Sequence, residues 1–344
     1  MNVLVICHQE NNGCNGQIAK TNDVIEHLKK SGFDIDVLAY NKLNTIQKLL
    51  KSYKEIKKHD AFVLMPGGKS PLFFYTRMLS FLKKKNVHYV AIGGWVINLI
   101  SDPKNKKIFN KMKSFKGIYL QNNKTVEAFN NNGFNNTYCI YSFSTKTPLS
   151  SSDINSRMDY LNNPNKEYKF CFYARVTKEK GALLACDAIN KISNQLKDKT
   201  IKLDIYGEIK DPNVEAELKS ITVNNPNIKV KGVLGDNAIK VLSNYYCMLF
   251  PTQYKGEGFP HSILESFMAS LPVIATKWAY NEEIIQDKKT GLLFDCSVDN
   301  LADSIKWAIE NNKSVIEMSK NCFEESKKYD ISVLLKLLID SLNN

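Results

Sequence analysis

Several common signals are missing from this sequence of 344 residues. Its eight cysteines include no CxxC pair and no cluster with histidine, which disfavours a zinc site and predicts buried free thiols in a reducing compartment. The longest uncharged apolar stretch, residues 90–100, is too short to span a bilayer, and no signal-peptide pattern opens the chain. We therefore expect a cytoplasmic protein whose only membrane contact is peripheral.

The excess of positive charge is confined to one half of the chain. Residues 1–150 contain 22 Lys and Arg against 9 Asp and Glu, whereas residues 151–344 contain 25 against 26. Such an excess fits an anionic partner, either nucleic acid, a membrane leaflet or a phosphorylated ligand. The solvated faces of surface helices would produce the same count, so the charge alone does not select a partner.

Apolar, β-branched segments alternate with segments of helical periodicity along the whole chain, which predicts parallel sheets covered by helices. The predicted strands cover residues 2–7, 35–40, 61–65, 87–92, 117–121 and 137–141, then 169–173, 202–206, 228–230, 247–251, 273–275 and 291–294. The pattern predicts an α/β protein made of two doubly wound, Rossmann-like domains.

The domain boundaries follow from this pattern. We predict a basic N-terminal domain over residues 1–150, a polar linker over 151–166 and a C-terminal domain over 167–326. Residues 327–344 are predicted to form a terminal helix that packs back toward the first domain. Doubly wound domains bind ligands beyond the carboxyl ends of their strands, so two facing domains would form a cleft lined by strand-to-helix loops.

Two of these loops could bind anions. The loop after the first strand carries Gly13 and Gly16 before a helix, where backbone amides can approach an anion, although a simple tight turn explains these glycines equally well. It lacks the GxGxxG pattern of a dinucleotide site. The loop after the seventh strand carries Arg175 and Lys180 at the mouth of a helix. Two permanent cations there predict a diphosphate site, the alternative being surface cations without a ligand.

A third loop carries two acidic residues. Glu257 stands on a Gly-flanked loop, the backbone amides of Gly258 and Phe259 follow, and Glu265 lies inside a predicted helix. If the eight residue steps from Glu257 to Glu265 were all helical, the two carboxylates would lie roughly 12 Å apart along the helix axis. The two carboxylates of a hydrolytic acid–base pair lie about 5 to 9.5 Å apart, so this separation would be too large. Both are predicted to bind hydroxyl groups on different parts of one elongated ligand.

Together these motifs resemble family 4 of the retaining, nucleotide-sugar-dependent glycosyltransferases, which have the GT-B fold of two Rossmann-like domains. The resemblance covers residues 170–310 and rests on Arg175-x4-Lys180-Gly181, Tyr206-Gly207-Glu208, Gly232-Val233-Leu234, Glu257-x7-Glu265 with Gly-Phe-Pro, Pro272-Val273-Ile274-Ala275-Thr276 and Asn281-Glu282-Glu283-Ile284-Ile285. In the first half, Ile92-Gly93-Gly94-Trp95 resembles members that build bacterial capsules, O-antigens and exopolysaccharides. Many relatives place a histidine there, which this chain lacks.

The resemblance implies residue roles. Arg175 and Lys180 would contact the donor diphosphate, Glu265 the nucleotide ribose and Glu257 the donor sugar, with Arg175, Lys180 and Glu257 contributing to catalysis. Gly94 and Trp95 would lie on the acceptor side. The full set of predicted donor-binding residues is Gly13, Gly16, Arg175, Lys180, Gly207, Val233, Leu234, Glu257, Gly258, Phe259, Pro260, His261 and Glu265.

The implied reaction is transfer of a hexose from a UDP- or GDP-sugar to a hydroxyl group with retention of configuration. The acceptor would be a glycan or a polyprenyl-diphosphate-linked saccharide at the inner face of the cell membrane, as in bacterial surface polysaccharide biosynthesis. A lipid-linked acceptor and anionic lipid would account for the basic first half.

No cofactor is predicted, because the nucleotide-sugar is itself a substrate. Asp34-Ile35-Asp36 spells the DxD of metal-dependent transferases of another fold, but it begins a predicted strand. Since Arg175 and Lys180 already supply positive charge, we predict that no metal is bound.

Two other functions remain open. A sugar-nucleotide epimerase or another GT-B enzyme would share the fold and the diphosphate site. A nucleic-acid-binding protein would use the basic half, although its lysines are not interleaved with a recognisable reader motif. We expect no nucleic acid among the partners.

Overall fold

The alternation of apolar and amphipathic segments produces two parallel sheets in the computed structural model, which describes residues 2–9, 16–162 and 167–344. The chain divides into two units. Unit 1 contains Met1–Thr145, Gly256–Phe259 and Tyr329–Asn344, and unit 2 contains Lys146–Lys255 and Pro260–Lys328. Each unit holds one six-stranded sheet.

All twelve predicted strands are present among the described residues. Their pairing is parallel throughout, in the order β2-β1-β3-β4-β5-β6 in unit 1 and β12-β11-β10-β7-β8-β9 in unit 2. Their bounds are β1 (Asn2–Cys7), β2 (Asp34–Ala39), β3 (Ala61–Met65), β4 (Val87–Val90), β5 (Gly117–Leu120), β6 (Thr137–Cys139), β7 (Glu167–Tyr173), β8 (Thr200–Tyr206), β9 (Ile228–Gly232), β10 (Cys247–Phe250), β11 (Val273–Thr276) and β12 (Gly291–Phe294).

Helices connect the strands as crossovers. Their bounds are α1 (Gly16–Lys30), α2 (Thr45–Lys58), α3 (Lys69–Phe81), α4 (Val96–Ile100), α5 (Lys106–Met112), α6 (Asn123–Asn131), α7 (Ser151–Asn162), α8 (Ala182–Gln195), α9 (Pro212–Asn224), α10 (Ala238–Leu242), α11 (His261–Met268), α12 (Asn281–Ile284), α13 (Val298–Glu310), α14 (Asn312–Ser326), α15 (Ile331–Leu334) and α16 (Lys336–Asn343), with 3-10 turns at Tyr40–Lys42, Pro103–Asn105, Lys178–Lys180 and Lys327–Tyr329. Within the described ranges, every helix is too short or too polar to cross a bilayer.

The end of the chain packs onto the first sheet. The predicted single terminal helix is broken into the turn at Lys327–Tyr329, α15 and α16. Leu335, Leu338 and Leu342 are fully buried in a cluster that includes Val3 and Val5 of β1. Apolar residues at helical spacing thus complete the core of unit 1 from a position distant in sequence.

The stretch predicted as a linker contains a helix. Residues 151–162 form α7, and its Arg157 is buried within unit 2. The Arg157 guanidinium donates to the carbonyl oxygens of Ser243 at 2.7 Å, Tyr245 at 2.6 Å and Ser270 at 2.7 Å. The linker prediction was wrong here because it was based on the polar composition of this stretch. A single arginine has five hydrogen-bond donors, and Arg157 uses some of them to satisfy carbonyl oxygens at the ends of neighbouring elements, which fixes the helix in unit 2.

Candidate active site

The second sheet has a topological switch point between β7 and β10. From β7 the chain proceeds through β8 and β9 on one side, and β10 then pairs with the other side of β7. Loops that leave two such strands in opposite directions form a crevice at the carboxyl edge of the sheet, where ligands of doubly wound folds bind. The predicted diphosphate residues follow β7, so they lie at this position.

Arg175 and Lys180 converge on one aromatic ring that follows β10. The Lys180 Nζ lies 5.0 Å from the centroid of the Tyr254 ring and 5.6 Å from that of Phe250. The Arg175 Cζ lies 5.3 Å from the centroid of the same Tyr254 ring. Lys180 is buried and Arg175 is exposed. These cation–π contacts hold the two positive charges beside one ring.

Gly181 brings the start of α8 against the loop after β10. Its φ is +82°, in the left-handed region, and a Cβ there would lie 2.3 Å from the carbonyl oxygen of Pro251. Glycine is therefore required for both conformation and close approach. The amide groups and positive dipole end of α8 consequently begin directly after Lys180, which adds to the positive potential at this point.

Glu265 is a buried carboxylate on α11 with two partners in unit 2. Tyr173, the last residue of β7, donates its hydroxyl hydrogen to Oε2 at 2.7 Å, and Lys146 Nζ lies 3.1 Å from Oε1. Burial and the neighbouring Glu265 carboxylate raise the pKa of Tyr173, so its hydroxyl stays protonated and remains a donor. A carboxylate has about four acceptor sites, so Glu265 can still accept bonds from a ligand.

The loop after β9 is tied to the same carboxylate. Lys146 Nζ, which pairs with Glu265, also lies 3.4 Å from the carbonyl oxygen of Gly235. Val233 of this loop is exposed and Leu234 is half-buried. Lys146 therefore links Glu265 to Gly235, which follows the predicted base-side residues in the same loop.

Gly207 has a packing reason that does not involve a ligand. A Cβ at this position would lie 1.8 Å from the carbonyl oxygen of Ala174, and the Gly207 amide donates to Gly232 O at 2.8 Å. The loops after β7, β8 and β9 thus approach one another through this glycine. Its predicted donor contact remains a prediction.

In unit 1, the loop after β4 contacts the loop that carries Glu257. A Cβ on Gly94 would lie 2.6 Å from the carbonyl oxygen of Glu257, and one on Gly258 would lie 2.9 Å from the Gly94 amide nitrogen. Gly93 donates its amide hydrogen to Gln121 Oε1 at 2.8 Å. The two glycine-containing loops therefore pack backbone to backbone, and Glu257 itself is buried.

The neighbouring predicted residues have structural partners as well. Trp95 Nε1 donates to Ile92 O at 2.7 Å, which holds the indole of this half-buried side chain. Phe259 is buried, with its ring centroid 5.7 Å from that of Tyr141 and 5.1 Å from that of Tyr329. These contacts fix the loop ends in unit 1 and leave the predicted acceptor and donor roles as predictions.

The helix that carries Glu265 is shorter than the eight-step helix considered for the acidic pair. Pro260 has φ −66° and ψ 120° and precedes the helix, and α11 begins at His261, which is half-buried. Proline fixes a conformation compatible with the start of a helix. Glu257 therefore lies on a loop before the helix, and the separation of roughly 12 Å deduced from a continuous helix does not apply.

The remaining predicted positions lie in unit 1. Gly13 lies outside the described residues, and Gly16 is the first residue of α1. Asp34 begins β2, and His59 Nε2 lies 2.8 Å from Asp36 Oδ2. Within residues 2–9, 16–162 and 167–344, no three His, Cys, Asp or Glu side chains form a group that could hold a metal ion.

Comparison with protein families identifies the chain. Residues 153–329 match the family described as glycosyl transferases group 1. The chain belongs to this family. It is therefore a transferase enzyme, and the match covers most of unit 2, including Arg175, Lys180 and Glu265. Among curated proteins, none matches the chain significantly in sequence.

Solved structures establish the fold of this group 1 glycosyltransferase as GT-B. HepE of Anabaena in complex with UDP has a TM-score of 0.74 at 16% identity, over 100% of both chains. A glycosyltransferase of Rickettsia africae has a TM-score of 0.72 at 16% identity, over 99% of this chain and 97% of that one. The sucrose-phosphate synthase of Thermosynechococcus elongatus has a TM-score of 0.70 at 14% identity, over 99% and 98%.

Sequence reasoning missed several residues of the candidate site in this group 1 glycosyltransferase. Tyr173, Lys146 and Gln121 have no motif of their own, and only the folded chain shows which groups they contact. Tyr254 begins the acidic loop segment, and a ring beside a glycine-rich loop was a usable signal. Each of these residues lies near the end of a strand or in a loop after one, which is where side chains of a doubly wound fold meet.

Proposed function

We propose that this glycosyltransferase moves a hexose from a nucleotide-sugar, UDP- or GDP-linked, to a hydroxyl group, in the manner of the retaining family 4 enzymes. The observation that carries the proposal is the convergence of Arg175 and Lys180 on Tyr254 at the switch point of unit 2. HepE, whose fold is similar, was solved with UDP and with UDP-glucose, which supports a UDP-linked donor.

The chemistry needs a fixed positive site for the leaving group. As the sugar departs and becomes oxocarbenium-like, negative charge grows on the nucleoside diphosphate. Arg175, Lys180 and the start of α8 would stabilise that charge more strongly in the transition state than in the bound substrate. Since these groups are already positioned, no reorganisation is needed at the moment of transfer. We propose that the reaction proceeds without a metal.

Glu265 and Glu257 would hold the two ends of the donor. Glu265, kept in place by Tyr173 and Lys146, would accept hydrogen bonds from the ribose hydroxyls, with Gly207, Val233 and Leu234 near the base. Glu257 and the backbone from Gly258 to His261 would lie beside the donor sugar. Gly94 and Trp95 would lie on the acceptor side.

The acceptor would be a glycan or a polyprenyl-diphosphate-linked saccharide used in bacterial surface polysaccharide biosynthesis. The basic first half supports this choice, because residues 1–150 carry 22 Lys and Arg against 9 Asp and Glu. Juxtamembrane lysines and arginines attract anionic lipid by about 1 kcal/mol each. Unit 1 would thus rest on the inner face of the cell membrane.

A thermal-shift experiment tests the donor proposal. The full chain is heated alone and with UDP, GDP, ADP or CMP, and a nucleotide present at 100 times its dissociation constant should stabilise the fold by about 2.7 kcal/mol. We expect UDP or GDP to act and the Arg175→Ala variant to respond more weakly. A flat response to all four nucleotides would contradict the proposal. Release of free nucleoside diphosphate only when acceptor is present would separate transfer from epimerisation.

A further inference from the structure

Helix α2 in unit 1 has an apolar stripe that faces solvent. Ile46, Leu49, Leu50 and Tyr53 follow the spacing of one helix face, and their exposed fractions range from 41% to 72%. The residues that α2 buries are Ser52 and Ile56. The stripe that sequence periodicity would assign to the core therefore lies outside it, which is typical of an interaction surface.

Helix α3 extends this apolar surface. Ser52 Oγ lies 3.0 Å from Tyr75 Oη, which ties α2 to α3. A groove of about 600 Å³ runs beside both helices, and Leu49, Tyr53, Phe73, Phe74, Met78 and Phe81 form its apolar wall. Phe81, at the end of α3, is 79% exposed. We name the surface formed by Ile46, Leu49, Leu50, Tyr53, Phe81 and this groove the α2–α3 face.

Positive charge flanks the α2–α3 face. Residues 42–85 contain 11 Lys and Arg against 2 Asp and Glu. At 3.6 residues per turn, the apolar stripe of α2 lies between the buried Ser52 and Ile56 on one side and Lys51, Lys54 and Lys58 on the other. Lysines also reach over the aromatic rings of the groove, with Lys57 Nζ at 5.1 Å from the Tyr53 centroid and Lys69 Nζ at 5.4 Å from that of Phe73.

The combination of exposed apolar side chains and lysines indicates which kind of partner binds the α2–α3 face. A second copy would place the same lysines against one another, because a two-fold interface brings a patch onto itself. A nucleic acid would be bound through phosphate contacts and has no need for exposed isoleucine and leucine. The cores of protein interfaces are depleted of lysine. An apolar stripe beside lysines is the pattern of a helix that lies in the boundary between lipid headgroups and acyl chains.

We propose that the α2–α3 face docks on an anionic lipid bilayer. The apolar stripe enters the acyl boundary, the lysines contact anionic headgroups and the groove receives hydrocarbon of the lipid. This inference deepens the proposed function, on whose membrane partner it rests, by assigning the contact to one surface of unit 1. It is independent of the donor site in unit 2.

Vesicle sedimentation with the full chain tests the surface. Vesicles of phosphatidylcholine, with and without phosphatidylglycerol, are mixed with the wild type, with the double variant Leu49→Ser/Leu50→Ser, and with the matched control Val223→Ser. Val223 is 78% exposed on α9 of unit 2. We expect binding to the anionic vesicles, a loss of about tenfold or more in the double variant from the lost apolar contact, and no change in the control.

Charge variants give a second measurement. Lys51→Gln and Lys54→Gln should each weaken binding to the anionic vesicles by about fivefold and have no effect on neutral ones. All the substituted side chains are exposed, so we expect every variant to fold like the wild type. Thermal unfolding checks this expectation.

The outcomes separate this inference from the donor proposal. If the wild type binds anionic vesicles and the double variant binds equally well, the α2–α3 face is not the docking surface. If the wild type binds neither vesicle, the surface and the membrane partner are both refuted, while the shift with UDP or GDP still reports on the donor site. If the wild type forms a dimer that the same substitutions abolish, the face is a self-association surface and the inference is overturned.

Discussion

The two units have the same doubly wound architecture and distribute positive charge in opposite ways. In unit 2, Arg175 and Lys180 are focused on a single ring at the switch point of a sheet. In unit 1, lysines spread over the surface of α2 and α3 beside exposed apolar side chains. A focused pair suits one small anion, whereas a spread of lysines suits an extended anionic surface.

The number of charges in a unit and the positions of those charges therefore indicate different things about its function. Residues 151–344 have almost no net charge, yet they contain the site with the more specific geometry. A fixed cation in a partly buried position acts in a lower effective dielectric and is screened less by salt than a solvated lysine. The unit with the smaller excess of charge is thus the one predicted to perform the chemistry.

The largest expected effect is on turnover when the buried cation of unit 2 is removed. Lys180→Met keeps an unbranched chain over the rings of Phe250 and Tyr254 but deletes the charge. Loss of one transition-state donor commonly costs about 2.7 to 4 kcal/mol, so the rate should fall by about 100-fold to 1,000-fold. Steady-state release of nucleoside diphosphate measures it.

The matched control is Lys178→Met, two residues earlier in the same 3-10 turn, where the lysine is exposed. It should retain its rate, and the melting temperature of both variants should stay close to that of the wild type. Equal rates in the two variants would show that Lys180 does not stabilise the leaving group. The proposed difference between a focused cation pair in unit 2 and spread lysines in unit 1 would then be contradicted.

Much of the fold was predictable from the sequence, because parallel strands buried on both faces are continuous apolar runs. All twelve strands of the described residues were found in this way. Helix α7 was not, since its place in unit 2 depends on Arg157 reaching carbonyl oxygens distant in sequence. Burial of Arg157 lowers its pKa to about 10, which still leaves it charged at neutral pH.

The candidate site was predictable to a similar extent. Spacing placed Arg175 and Lys180 on one loop, because the turn between a strand and a helix is short. Nothing local indicated that Tyr254 would lie under both cations or that Lys146 would pair with Glu265, since those contacts depend on which strand ends are neighbours in the sheet. The buried face of α2 likewise depends on the folded chain: its apolar stripe has the periodicity of a core face, but the fold buries Ser52 and Ile56 instead.

The next effect concerns the close backbone contact of unit 1. Gly94→Ala would place a Cβ 2.6 Å from the Glu257 carbonyl oxygen, so the loop that carries Glu257 must move. Overpacking of this kind costs about 1 to 3 kcal/mol, and we expect turnover to fall by roughly tenfold or more. The control Gly68→Ala has no atom within 4 Å of its new Cβ and should be neutral in the same assay. Normal turnover in Gly94→Ala would remove the Glu257 loop from the catalytic machinery.

Acid should weaken unit 1 through a buried histidine. His88 on β4 is buried beside Tyr119, and desolvation with the nearby Lys116 charge lowers its pKa to about 3 from 6.5. The folded pKa is depressed, so the unfolded state binds the proton first, and stability present above pH 6.5 is lost as the pH falls toward 3. Between pH 7 and pH 5 this amounts to about 2 kcal/mol.

Hydrogen exchange at the two pH values measures this effect separately in β4 and in β7. Protection should fall more in β4 of unit 1 than in β7 of unit 2, and His88→Gln should flatten the dependence. A pH dependence that is the same in both strands and unchanged in His88→Gln would assign the acid sensitivity to other groups.

The smallest expected effect is on donor binding when the ring shared by Arg175 and Lys180 is removed. Tyr254→Leu removes the ring under Arg175 and Lys180, and cation–π contacts are worth about 0.5 to 2 kcal/mol, so donor binding should weaken by roughly 2-fold to 30-fold. Tyr254→Phe keeps the ring face and should bind the donor nucleotide like the wild type. Titration of UDP by calorimetry distinguishes the two. If Tyr254→Phe weakens UDP binding as much as Tyr254→Leu does, the hydroxyl of Tyr254 and not its ring supports the donor site. The two cations must then be positioned by their own loop, which Gly181 and the start of α8 already constrain.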